Sequence, residues 1–160
     1  MARLGSTRTA LIWLLLFGAV PAIAKDRLGI YQSWVAFRDP GTRCYAIAEP
    51  EDTVGTASQS GFLSIAFWPK QRVTHQVYVR LSRVRSTNSG ITLNAGGRRF
   101  RLTARGSEGW APDRATDQVI VAAMRSAASL SVESLGRDGR AIVDTYALRG
   151  APSAIDAAAL

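Results

Sequence analysis

Nine basic residues and no acid occupy Thr53 to Ser107, and several of the arginines recur at strand spacing. Arg80 follows Tyr78 by two positions and Arg101 follows Arg99 by two, so each pair projects from one face of an extended chain. Arg83 and Arg85 stand just past the point where the apolar alternation fades. A planar guanidinium offers paired donors that match the oxygens of a phosphate or carboxylate. The chemistry open to Arg80, Arg83, Arg85, Arg99, Arg101 and Tyr78 is therefore the binding of an anion.

Hydrolytic chemistry has less to work with. His75 is the sole histidine and alternates with Val73 and Val77, which places it on an inward strand face as a core residue. Cys44 is the sole cysteine, in Cys44-Tyr45-Ala46-Ile47-Ala48. It reads as a buried, inert thiol, because nothing beside it in sequence would lower its pKa; a bridge to a second chain stays open. One histidine and one cysteine cannot together furnish a zinc site in a single chain. No G-x-S-x-G elbow, P-loop or H-E-x-x-H is present, so no catalytic residue, metal or cofactor is expected. If Leu135 pairs with Arg140, then Glu133 and Asp144 become diagonal neighbours on one face, a pairing that could support hydrolysis. Solvent-facing strand residues are the commoner use of such acids. Glu49, Glu51 and Asp52 read as a solvated acidic loop rather than a calcium site.

The charge is unevenly placed. The 160 residues carry 20 basic and 12 acidic side chains. Lys25 to Asp52 has four basic and five acidic residues, and Glu108 to Leu160 has five and seven, so the middle of the chain holds the whole imbalance. Arginine outnumbers lysine eighteen to two, a habit of GC-rich coding. That habit explains arginine in place of lysine, but not the disappearance of acids. An anionic partner fits the asymmetry.

The start of the chain reads as an export signal. Arg3 and Arg8 precede an apolar run from Thr9 to Val20, and Pro21-Ala22-Ile23-Ala24 supplies the small residues that a signal peptidase accepts. The run is shorter than the ~20 apolar residues of a spanning helix, so cleavage after Ala24 is expected. Residues 1–24 are then a signal peptide and 25–160 a single β-rich domain with no transmembrane segment. Export points to the periplasm or the outer membrane and away from nucleic acid.

Short strands with one interruption must position these side chains. Strands are expected around Ser33–Phe37, Arg43–Ala48, Phe62–Trp68 and Val73–Val84, with Glu49–Gly61 a long loop. The alternation of Val73, His75, Val77, Val79 and Leu81 marks the inward face of the longest one. Gly96-Gly97 joins Ile91–Asn94 to Arg99–Thr103 in a hairpin, leaving Arg99, Arg101 and Arg105 outward. Asp113 caps a helix over about 113–128, with Ala115, Val119, Ile120, Ala123, Met124 and Ala127 on its apolar stripe. A hairpin from Leu130 to Leu148 and a short helix over Ser153–Ala159 close the chain. The expected class is mainly β: an antiparallel β-sandwich or barrel-like sheet with one α-helix and a short C-terminal helix. Trp34, Trp68 and Trp110 at strand ends belong to the core or line a ligand groove.

Trp34, the Cys44-Tyr45-Ala46 strand, Trp110 before a helix ending in Ala122-Ala123-Met124-Arg125, and Gly139 with Asp144-Thr145-Tyr146-Ala147-Leu148-Arg149-Gly150, followed by Ala154, form an ordered set. In this set the chain resembles the invasion-associated locus B family, small exported proteins of Gram-negative bacteria. The resemblance implies a periplasmic or outer-membrane-associated β-rich domain without known enzymatic chemistry, and for pathogenic members a part in invading host cells. Relatives commonly carry further cysteines near the first strand or the C-terminus, where this chain has Ala36-Phe37 and Ala157-Ala158-Ala159-Leu160.

The reading is a non-enzymatic envelope protein that binds an anionic partner through a basic central sheet face. Lipid A, phospholipid head groups or a glycan suit it. The alternatives are a docking module for another envelope protein and a hydrolase of envelope polymers.

Overall fold

The computed structural model describes residues 25–41 and 43–160; the expected signal segment, 1–24, lies outside the described residues. Alternating apolar side chains build strands β1 (Asp26–Tyr31), β2 (Trp34–Asp39), β3 (Arg43–Ala48), β4 (Asp52–Thr53), β5 (Phe62–Trp68), β6 (Val73–Arg80), β7 (Ile91–Ala95), β8 (Arg98–Arg105) and β9 (Glu108–Trp110). Helix α1 (Arg114–Ser126) follows, then β10 (Ser129–Leu135), β11 (Ala141–Ala147) and α2 (Ala151–Ala159). The strands form one antiparallel sheet in the order β1-β2-β3-β5-β6-β9-β8-β7-β10-β11-β4. The fold is mainly β with a central and a C-terminal helix, as the sequence pattern predicts.

Strand β8 is the corner of this sheet. Its first part pairs with β7 (Leu102 opposite Ile91) and its last residues pair with β9 (Thr103 opposite Trp110). The two halves contribute inner faces to one core: Leu63, Ile65, Val77 and Val79 from one, and Ile91, Leu93, Val132 and Ile142 from the other. Ile120 and Met124 of α1 and Ala154 and Ile155 of α2 complete it. The Trp34 indole N–H donates to the Ala147 carbonyl at 2.9 Å, tying an early strand to the last one. Among the described residues no helix is long and apolar enough to cross a membrane.

The strand expected around Ser33–Phe37 is β2, and a strand not expected, β1, precedes it in a hairpin whose turn Gln32 makes at φ 57°. Two local expectations are corrected. Strand β6 ends at Arg80, and His75 breaks its alternation: with φ 59° it sits beside a bulge opposite Ala66 and Trp68, its ring edge-on to Phe67. The last hairpin pairs Leu135 with Ala141, one position away from the expected Arg140. A slip of one residue moves a side chain to the other face. Asp144 therefore points inward, fully buried, while Glu133 points outward to Arg99. The paired-carboxylate arrangement does not form.

Candidate functional site

The segment after β6 crosses from one half of the sheet to the other outside the named strands, touching the ladder only at the Arg85–Gly136 bridge. Arg85 supplies donors for the carbonyls around it. Its Nε donates to the Gly106 carbonyl at 2.6 Å, and its Nη1 donates to the carbonyls of Ser86 (2.9 Å), Thr87 and Ser89. The residue is only 7% exposed. Arg83 is similarly engaged, with Nη2 2.5 Å from Asp138 and Nη1 donating to the Ala141 carbonyl at 3.1 Å. Both therefore hold the chain together and leave the expected anion-binding set. Sequence spacing placed them near the others but could not reveal the carbonyls that they satisfy.

Arg80, Arg99, Arg101 and Tyr78 do share the outer face. Cross-strand register runs Phe62–Arg80–Glu108–Arg105 in one row and Ser64–Tyr78–Trp110–Thr103 in the next. Arg99 and Arg101 follow along β8, which alternation places on the same side as Thr103 and Arg105. Arg99 pairs with Glu133 at 3.0 Å yet stays 61% exposed. Among the described residues, no carboxylate oxygen lies within 4.0 Å of a guanidinium nitrogen of Arg80, Arg101 or Arg105. Glu108 stands between Arg80 and Arg105 in register, diagonal to Tyr78. Burial first, and then that carboxylate, push the Tyr78 hydroxyl up to about 12.

The same face carries a feature absent from the expected set. Outward-facing Ser64 and Ala66 on β5 are small, while Phe62 and Trp68 flank them along the strand. Tyr45 and Ile47 of β3 and Gln76 and Tyr78 of β6 stand on either side in register. Small residues ringed by large ones leave a hollow of about 680 Å³. Trp110 closes one side; Lys25 and Arg43 close the other. Arg43 lies 4.3 Å above the Tyr45 ring and 5.5 Å from that of Trp68, held there by Asp39, which accepts from its Nε and Nη2. Of the three tryptophans considered above, Trp34 belongs to the core and Trp68 and Trp110 line the groove.

Buried acids serve the frame. Asp144 accepts hydrogen bonds from the Ser82 amide at 2.8 Å and from the Ser82 hydroxyl, clamping β11 to the end of β6. Burial pushes its carboxyl up. Asp117 of α1 accepts from the Val77 amide at 2.8 Å, and burial raises it to about 6. His75 is lowered, first by burial and then by the Arg125 charge. Glu51 accepts from the Ser33 hydroxyl at 2.6 Å. Among the described residues no group of three or more His, Cys, Asp or Glu side chains could hold a metal ion. Cys44 is a free, half-buried thiol packed against the core. Comparison of the chain with protein-family models, curated proteins and solved structures gives no match.

Proposed function

We propose that this chain is a non-enzymatic binding protein of the bacterial envelope whose outer sheet face takes an anionic partner: lipid A phosphates, phospholipid head groups or an acidic glycan. One observation carries the reading: Arg80, Arg101 and Arg105 share a face and have no carboxylate within ion-pair distance among the described residues. Guanidinium groups without an internal counterion are free to meet phosphate or carboxylate oxygens from outside. The export-signal pattern of residues 1–24 and the resemblance to invasion-associated locus B proteins support a periplasmic or outer-membrane-associated location.

The test is co-sedimentation of residues 25–160 with vesicles containing lipid A or phosphatidylglycerol, against neutral vesicles, at about 50 and about 500 mM NaCl. Binding to the anionic vesicles is expected at low salt and release at high salt. Joint substitution Arg80→Ser, Arg101→Ser and Arg105→Ser should weaken binding by about tenfold or more. Binding that ignores salt, or a triple variant that binds as well as the parent, overturns the proposal.

A further inference from the structure

The aromatic hollow on β3, β5, β6 and β9 adjoins the outer-face arginines, since Phe62 of its rim lies opposite Arg80, but its lining includes none of Arg80, Arg101 and Arg105, and its chemistry is more specific. Its volume of about 680 Å³ falls within the ~300–1,000 Å³ range of small-molecule sites. Ser64 forms its floor and is only 7% exposed, and among the described residues its hydroxyl makes no hydrogen bond, so it faces the hollow. Gln76 accepts the Trp68 indole N–H at 2.9 Å through Oε1, which fixes that ring, and among the described residues its amide N–H groups make no hydrogen bond. Among the described residues the lining holds two cations, Lys25 and Arg43, and no carboxylate. Asp39 accepts from the Nε and Nη2 of Arg43, and among the described residues Nη1 makes no hydrogen bond.

These features exclude most ligand classes. An extended peptide that adds to a sheet needs a free strand edge, but β3, β5, β6 and β9 are paired on both sides. An acyl chain would bury Ser64, Gln76 and Lys25 without offering hydrogen bonds. A cation would be repelled by Lys25 and Arg43. What remains is a ring with one C–H face for the aromatic walls, hydroxyls for Ser64 and Gln76, and a negative group for Lys25 and Arg43.

We infer that the groove is a saccharide subsite that takes an acidic pyranose of the uronic-acid type. Its C–H face stacks on Trp68 or Trp110, its hydroxyls meet Ser64 and Gln76, and its carboxylate lies at the Lys25–Arg43 end. The groove's lining includes none of Arg80, Arg101 and Arg105, so replacing those three separates this reading from the proposed function.

The test titrates residues 25–160 with trigalacturonate and, in parallel, with the neutral trisaccharide maltotriose, following tryptophan fluorescence and heat. Trp68 and Trp110 sit in the groove while Trp34 is buried, so occupancy changes the emission. Trigalacturonate should bind at least about tenfold tighter than maltotriose, and Lys25→Ala should remove much of that preference while leaving the neutral sugar unchanged. Ser64→Val fills the floor from the outer face and should abolish binding at an unchanged melting temperature. The arginine triple variant should bind the sugar as well as the parent does. Absence of binding, equal affinity for the two sugars, or full binding by a folded Ser64→Val variant overturns the inference. Loss of sugar binding in the arginine triple variant overturns it also, by moving the ligand to the other site.

Discussion

Arg85 and Arg80 have the same side chain and opposite fates, and the difference lies in the backbone around them. Arg80 ends a paired strand, so its neighbours need nothing from it. Arg85 sits in a crossing segment where the carbonyls of Ser86, Thr87, Ser89 and Gly106 converge on its guanidinium. A lysine keeps the charge but has one compact head in place of a planar fork, so it leaves several of those carbonyls unsatisfied. Arg85→Lys should lower stability by about 2 kcal/mol or more, read as a fall in the urea midpoint at constant slope. An unchanged midpoint would show that the fork is dispensable. The arginine spacing was legible in the sequence and set Arg99 and Arg101 on one face of their strand, but β9 separates that strand from the one carrying Tyr78 and Arg80, which sequence spacing had made neighbours. The convergence on Arg85 was not legible, since carbonyls brought together by a crossing leave no mark in residue type. Ser64 and Ala66 hid the groove for a similar reason: small residues in a strand look like packing until their large neighbours are known.

At the scale of elements, α1 is latched to β6 through a carboxylate on its own buried side. Helical periodicity predicted the helix and much of its stripe, including Ile120, Ala123 and Met124, but Ala115 is exposed and Asp117 is buried where an acid is not expected. Its group is raised to about 6 when folded, against an ordinary value near 4 in the unfolded chain. The folded state therefore binds more protons over that window, and the stability from this group is full below it and fades as pH rises through about 6. Asp144 acts in the same direction, whereas His75, lowered by burial, acts oppositely. Asp117→Asn isolates the one group, because an amide oxygen still accepts from Val77 but cannot ionise. The variant should melt a few degrees above the parent at pH 7.5, and the gap should shrink towards pH 4.5. A gap that does not change with pH would remove the ionisation from the account. The β10–β11 hairpin teaches the complementary lesson. Its strands were legible from alternation, but a turn longer by one residue decided which face received Asp144.

The whole molecule is a sheet bent at β8 and closed by a helix that arrives last. Helix α2 packs against β1, β2, β3 and β5 and buries Ala151, Ala154, Ile155 and Ala158. A chain of residues 25–150 should therefore lose its cooperative thermal transition, bind a hydrophobic dye and show Trp34 emission shifted to the red. A sharp melt in that shortened chain would place the core's integrity elsewhere. Fold class was readable at this scale because strand periodicity survives any topology. The strand order was not, since β4 and β9 are too short to announce themselves, yet β9 joins the two halves of the sheet and β4 forms its edge beside β11. The Trp34–Ala147 hydrogen bond spans 113 positions. Contacts so distant along the chain form late and slowly. A polypeptide emerging from the ribosome amino end first cannot seal this interior until its final strand and helix have been synthesised.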